Sequence, residues 1–280
     1  MTYFLTPGEI QSLCQSYGLR PSKDYGQNYL VNPLPLDQMI EAGEVGENDV
    51  VVEVGPGFGV LTFSLLETAK KVVAFEIEKK LEVYWKKKIK DLKLENLEIV
   101  WGNFLRVSED KLAGLEKYKV IANIPYQITS PLIRYFLEEI KNPPETLVLM
   151  VQKEVGERIC AKPGDLSLLS ISVQYYAEPE IVAKVPRTYF WPEPKVDSVI
   201  LRIKYKKRTG ADDVPSTKKF FQIVKIGFSQ KRKKLFNNLL SLVGKDKEKL
   251  HTIFVKSGLD LNVRAEDLSL EQWEQLKNYF

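Results

Sequence analysis

A mostly parallel, doubly wound α/β sheet followed by a small all-helical domain is the fold this chain predicts. Three observations carry that reading. Short apolar, β-branched runs recur between helical stretches. Glycines at 55, 57 and 59 follow directly on the run Val50–Val54. Beyond residue 205 the apolar periodicity is helical to the end of the chain.

The elements follow in order. Residues 7–17 carry weak helical periodicity. Lys23-Asp24-Tyr25-Gly26-Gln27-Asn28-Tyr29-Leu30 reads as a polar, aromatic loop, and a helix is predicted over 35–42. Val50–Val54 stops at glycines, as a buried strand does when it runs into a tight turn. A helix over 61–70, a second strand over 72–76 and a basic-faced helix over 79–92 come next. Strands are predicted at 97–101, 118–122 and 147–151, with a helix over 131–140 before the last of them. Helices at 152–161 and 167–176 precede two strands, 181–185 and 199–205, that complete the sheet. Thr209-Gly210-Ala211-Asp212-Asp213-Val214-Pro215-Ser216 has the composition of a linker. The expected organisation is a catalytic domain over 1–205 and a helical domain over 206–280.

Composition narrows the function. With 280 residues and 44% hydrophobic content, the chain can bury a sizeable core. No apolar run approaches the roughly 18 residues that a membrane span needs. The first residues lack a basic start and a small-residue cleavage site, so a cytoplasmic protein with no membrane partner is expected. Cys14 and Cys160 are too few for a disulfide framework. His251 is the only histidine, which argues against a zinc site and against histidine-based proton transfer; no metal is expected. Residues 1–203 carry 24 Lys+Arg against 28 Asp+Glu, whereas residues 204–280 carry 17 against 9. An acidic body joined to a basic appendage suits a partner rich in phosphate.

The glycine loop admits two readings. In a dinucleotide enzyme it would cradle a pyrophosphate at a helix N-terminus. In an enzyme that uses S-adenosylmethionine (SAM) it would pack against the methionine and ribose. Glu76, near the end of the second strand, suits either, because both folds place an acid there for ribose hydroxyls. The dehydrogenase spacing fails, since its third glycine position is Val60.

Asn123-Ile124-Pro125-Tyr126 tips the balance. The N6 of adenine is a poor nucleophile because its lone pair is delocalised into the ring. A site that methylates it needs acceptors for both amino hydrogens and a flat surface for the base. The Asn123 side-chain oxygen and the Ile124 carbonyl supply the acceptors, Pro125 stiffens the turn by fixing its own φ, and Tyr126 offers the face. The tetrapeptide resembles the amino-methyltransferase motif of SAM enzymes.

Further segments extend that likeness. They are Tyr25-Gly26-Gln27-Asn28-Tyr29-Leu30, Val52-Glu53-Val54-Gly55-Pro56-Gly57-Phe58-Gly59, Leu149-Met150-Val151-Gln152-Lys153-Glu154-Val155, Pro192-Glu193-Pro194-Lys195-Val196-Asp197-Ser198, Phe228-Ser229-Gln230-Lys231-Arg232-Lys233-Lys234 and Arg264-Ala265-Glu266-Asp267-Leu268-Ser269. In this order they resemble the small-subunit ribosomal RNA adenine dimethyltransferases, the kasugamycin-sensitivity methylase family, over nearly the whole chain.

The resemblance implies a Rossmann-like class I SAM-dependent methyltransferase sheet and dimethylation of N6 on two adjacent adenosines in a hairpin loop near the 3′ end of small-subunit rRNA. Its partner would be that rRNA within the immature small ribosomal subunit, met by a monomer. It implies that Asn28 and the Leu30 backbone close over the cofactor. Glu53, Gly55 and Gly57 would bind the cofactor, Gly55 at its methionine part, with Glu76 at its ribose and Asn103 at its adenine, where Phe104 could stack. Asn123 and Tyr126 would serve cofactor and target base together, and Phe190 would pack on the flipped base. Two departures stand out. The family usually has Asp at the position of Asn103, and residues 163–170 lack its Lys-Ala-Tyr-Gly-Arg run.

Lys231-Arg232-Lys233-Lys234 precedes an apolar stretch, and these four residues are expected to crown an amphipathic helix and to meet phosphates. Two other functions fit the same core. One is the large-subunit rRNA adenine methylase of macrolide resistance, which the Arg264–Ser269 ending disfavours. The other is a non-catalytic assembly factor, which the intact Asn123–Tyr126 motif disfavours. A nicotinamide dehydrogenase is a distant third.

Overall fold

The computed structural model describes residues 3–20, 28–206 and 214–280. The predicted loop residues 23–27 and linker residues 209–213 lie outside these. Among the described residues nine strands run in chain order: β1 (Tyr29–Leu30), β2 (Val50–Val54), β3 (Lys71–Glu76), β4 (Leu97–Trp101), β5 (Lys119–Asn123), β6 (Thr146–Gln152), β7 (Ala177–Val185), β8 (Phe190–Trp191) and β9 (Ser198–Tyr205).

Seven of them form one sheet in the order β4-β3-β2-β5-β6-β9-β7. The neighbours from β4 to β6 are parallel, and β9 joins β6 antiparallel, Leu149 opposite Leu201. Parallel strands covered on both faces must be apolar throughout rather than alternating. Thr146–Val151 and Val51–Val54 are indeed buried without a break. The sheet is therefore doubly wound, as predicted, with helices between its parallel strands. Strand order reverses between β2 and β5. A crevice opens beyond the carboxyl ends of strands at such a point, and this is where open α/β sheets bind ligands.

The loop after β2 turns into the helix Val60–Thr68 through Gly59, whose φ is +87°. A Cβ there would lie 2.6 Å from Phe63 and 2.7 Å from Trp85, so no other residue fits without displacing an aromatic ring. The predicted helix over 131–140 is present in two parts, an α-helix Thr129–Arg134 and a π-helical turn Tyr135–Glu139.

The chain divides into two compact units. The first comprises Met1–Gly156 and Pro179–Tyr205, the second Glu157–Glu178 and Lys206–Phe280. The expected division at residue 205 therefore needs correcting, because 157–178 belongs to the second unit. The reason lies in its apolar face. Leu166, Ile171 and Tyr175 enter a core with Phe220, Val224, Leu239, Phe254 and Trp273, and the Tyr175 ring stacks on Phe220 at 4.4 Å. The remainder of this unit is helical, as the periodicity predicts, with helices Val214–Gly227, Leu235–Leu239, Lys247–Lys256 and Leu270–Lys277. Among the described residues, no helix is long and apolar enough to cross a membrane.

Candidate active site

Beyond the ends of β2 and β5 lies a cavity of about 630 Å³, within the size range of small-molecule sites. It is bounded by Asn28, Leu30, Glu53, Gly55, Gly57, Glu76, Asn103, Asn123, Pro125, Tyr126 and Phe190, all of them residues singled out from the sequence. The topology explains the meeting. The glycine loop follows β2, Glu76 ends β3, Asn103 follows β4 and Asn123 ends β5, so four neighbouring strands deliver four segments to one edge.

The glycine loop is held from below. Its three glycines all have positive φ, +77° at Gly55, +55° at Gly57 and +87° at Gly59. The Trp85 Nε1–H donates to the Gly57 carbonyl at 3.0 Å, and the Tyr84 hydroxyl donates to the Phe58 carbonyl at 2.7 Å. The Gly57 N–H donates to Glu76 Oε2 at 3.1 Å, and the Glu78 N–H donates to Glu76 Oε1 at 2.8 Å. A Cβ at Gly57 would touch the Tyr29 ring at 3.4 Å, whereas one at Gly55 would meet no protein atom within 4 Å. The loop backbone thus leaves open space at Gly55 for a ligand to approach closely.

Two carboxyls bound this end. Burial pushes Glu76 above the usual carboxylate range, against the lowering effect of the Glu78, Gly57 and Ile77 N–H groups. Glu53 is 2% exposed, and burial pushes it up to about 8. The Thr62 hydroxyl beside it offsets part of that rise and the Glu76 charge adds to it. Neither Glu53 Oε2 nor Thr62 Oγ1 has a well-formed hydrogen bond among the described residues. Glu53 Oε2 is thus left to accept from a donor on a ligand, and SAM carries an ammonium group that can donate. Glu53 Oε2 for a donor group, Glu76 for ribose hydroxyls and the open space at Gly55 fit that cofactor.

A stability measurement checks the state of Glu53. An unfolded glutamate titrates near 4.5, the folded one near 8. Between these values the folded chain holds the proton and the unfolded chain does not, so the contribution is complete below 4.5 and is lost as pH rises towards 8. Glu53→Gln is expected to remove this slope. The gap in thermal midpoint between variant and wild type should widen in the variant's favour across the window. A constant gap would show that Glu53 is ionised throughout.

Asn103 caps the short helix Phe104–Val107, its Oδ1 accepting from the Leu105 N–H at 3.1 Å. The oxygen expected to meet the cofactor's adenine is therefore already engaged by backbone. Phe104 lines the cavity at this end; it is 5% exposed and is held there edge-to-face by Phe75 and Tyr135. Ile77 and Leu105, both exposed, add apolar surface beside it.

At the opposite end, Asn123 is half-buried and Pro125 begins the turn Tyr126–Ile128 with φ −57°. The Tyr126 hydroxyl lies 2.6 Å from Ser198 Oγ. Burial raises its pKa, which the Ser198 bond partly opposes and the Asp197 charge reinforces. Phe190 is buried and pairs with Leu30 across the antiparallel β1–β8 ribbon, Tyr29 opposite Trp191. The ribbon makes one wall from two segments that the sequence keeps far apart.

Lys231, Arg232, Lys233 and Lys234 are exposed in the turn before Leu235–Leu239 and do not crown a long amphipathic helix. That helix has five residues, and the four cations stand just before its N-terminus, where they oppose the positive end of its dipole. Lys234 Nζ donates to Asn262 Oδ1 at 2.6 Å. Sequence reasoning missed Tyr84, Trp85, Ile77, Leu105 and Ser198. Tyr84 and Trp85 were legible only as two aromatics in a lysine-rich helix, and Ile77 as the apolar neighbour of Glu76.

Known proteins bear on the site. The profile described as ribosomal RNA adenine dimethylase matches residues 18–280. The ribosomal RNA small subunit methyltransferase A of Bacillus cytotoxicus is 38% identical over 98% of this chain and 96% of its own length, and that of Bacillus mycoides is equally similar. A dimethyladenosine transferase from Plasmodium falciparum superposes with a TM-score of 0.74 at 28% identity, covering 88% of this chain and 95% of that one. The 23S rRNA methyltransferase ErmE superposes with a TM-score of 0.72 at 25% identity, covering 90% and 99%. With nearly every residue matched by the profile and the likeness running the length of both bacterial relatives, the chain belongs to the ribosomal RNA adenine dimethylase family.

Proposed function

We propose that this chain transfers methyl groups from SAM to N6 of two adjacent adenosines in the 3′-terminal hairpin loop of small-subunit rRNA. It acts as a monomer on the immature subunit in the cytoplasm. The observation that carries the reading is the cavity bounded at one end by Glu53, Gly55 and Glu76 and at the other by Asn123, Tyr126 and Phe190. The names of the bacterial relatives favour the small subunit over the large.

When bound, SAM supplies a methyl group already activated on a positively charged sulfur. The protein's task is to bind and orient. Glu76 accepts hydrogen bonds from ribose hydroxyls while its other contacts keep the loop backbone in place. Asn28, Leu30 and Gly57 close the cavity wall, Gly55 meets the cofactor's methionine part, and Asn103, its Oδ1 also accepting from the Leu105 N–H, lies at the adenine end. The target adenine leaves its stack at a cost of a few kcal/mol, and stacking on Tyr126 and Phe190, at roughly 1–3 kcal/mol each, offsets it. Asn123 Oδ1 and the Ile124 carbonyl accept the two amino hydrogens and draw the N6 lone pair out of the ring. The amine becomes acidic only as the methyl arrives, so its proton passes to water without a strong base.

Lys231–Lys234 grip phosphates without reading sequence, and recognition rests on RNA shape and unpaired loop bases. Replacing all four by glutamine is expected to weaken RNA binding. The salt slope should fall by nearly one for every phosphate that the four cations neutralise. Filter binding across salt concentrations measures this, and an unchanged slope would remove the four from the interface.

The function itself is tested by transfer from labelled SAM to immature small subunits, followed by nuclease digestion and identification of the nucleoside. Dimethyladenosine at two adjacent positions is the expected product. SAM binding without transfer would favour an assembly role or another RNA.

A further inference from the structure

Tyr126 is held differently from the other residues of the cavity. It sits in the turn Tyr126–Ile128, outside any strand, yet the far end of its ring is tied to the sheet. Its hydroxyl lies 2.6 Å from the Oγ of Ser198, a fully buried residue that begins β9. Ser198 is fixed by its surroundings. It pairs with Gln152 at the end of β6, and the Lys153 N–H donates to the Asp197 carbonyl at 3.0 Å. The Asp197 side chain in turn accepts from the Arg187 N–H at 3.0 Å. A buried hydroxyl needs a partner, and the Tyr126 hydroxyl supplies it.

We infer that Ser198 is a positioning residue for methyl transfer: by bonding the Tyr126 hydroxyl it fixes the plane of the ring on which the target base stacks. A tyrosine ring turns about two bonds. Tethering its hydroxyl fixes the first, χ1. A phenol oxygen gives and accepts hydrogen bonds close to the plane of its ring, so the direction to Ser198 sets the second as well. Strand residues hold geometry more closely than turn residues, and this bond lends the turn the sheet's rigidity. Ser198 itself touches neither base nor cofactor. Its effect belongs to kcat and leaves cofactor affinity alone. The inference rests on the reading of Tyr126 as the stacking face.

The test compares Ser198→Ala, Tyr126→Phe, their double variant and Tyr126→Ala, with immature small subunits as substrate and saturating SAM. Ser198→Ala and Tyr126→Phe should each lower kcat roughly tenfold, with unchanged SAM Kd and unchanged KM for the subunit. The double variant should be no worse than either single, because both remove the same bond. Ser198→Ala at full kcat while Tyr126→Ala is inactive would overturn the inference and leave the wider reading standing. Additive losses in the double variant would also overturn it. An active Tyr126→Ala would defeat the reading of Tyr126 and this inference with it. If Ser198→Ala does not fold, Tyr126→Phe decides: a tenfold loss in kcat supports the bond's role, and a full rate overturns it.

Discussion

Replacing Tyr126 with alanine is expected to lower kcat/KM for rRNA methylation by roughly a hundredfold or more, with SAM affinity within about threefold of wild type. One lost stack accounts for roughly 1–3 kcal/mol, and misorientation of the unanchored base adds to it. The effect should concentrate on the RNA side because the cofactor end of the cavity is built by other segments, the loop after β2 and the end of β3. Single-turnover transfer with calorimetric measurement of SAM binding separates the two. Near-normal turnover would show that the ring is only core packing.

Glu76→Ala is expected to act on the opposite end. Its carboxylate accepts the Gly57 and Glu78 N–H groups and offers the remaining lone pairs to the cavity. Removing it takes away charge-assisted bonds worth roughly 1.5–3 kcal/mol each and frees the loop backbone. SAM Kd should rise by roughly a hundredfold, with RNA binding unchanged. Calorimetry of SAM and filter binding of RNA would show the split. A Kd within about threefold of wild type would reassign the ribose contact to another residue.

Much of this architecture is legible in the sequence alone. Val50–Val54 and Thr146–Gln152 declare themselves because a strand buried on both faces reads as a nearly continuous apolar run rather than an alternating one. Glycines directly after such a strand mark the place where backbone meets ligand. The β1–β8 ribbon is invisible there for the opposite reason. Two residues on each side have no periodicity, and their pairing depends on segments far apart in the chain. Tyr84 and Trp85 look like the apolar stripe of a surface helix. That they hold loop carbonyls depends on the path of the loop, which a helical pattern does not encode. Ser198 closes the motif Pro192–Ser198, but its bond to Tyr126 joins residues brought together only by β9 lying beside β6.

The second unit's two-part composition also sets an order of events during synthesis. Residues 157–178 leave the ribosome long before 214–280, yet their apolar side chains have no core until that later stretch exists. Leu166, Ile171 and Tyr175 must wait uncovered while the first unit's last segment, 179–205, is made and paired. A chain stopped at residue 205 would therefore be no clean catalytic fragment: it would display a greasy helix with nothing to cover it, an invitation to chaperones or to aggregation.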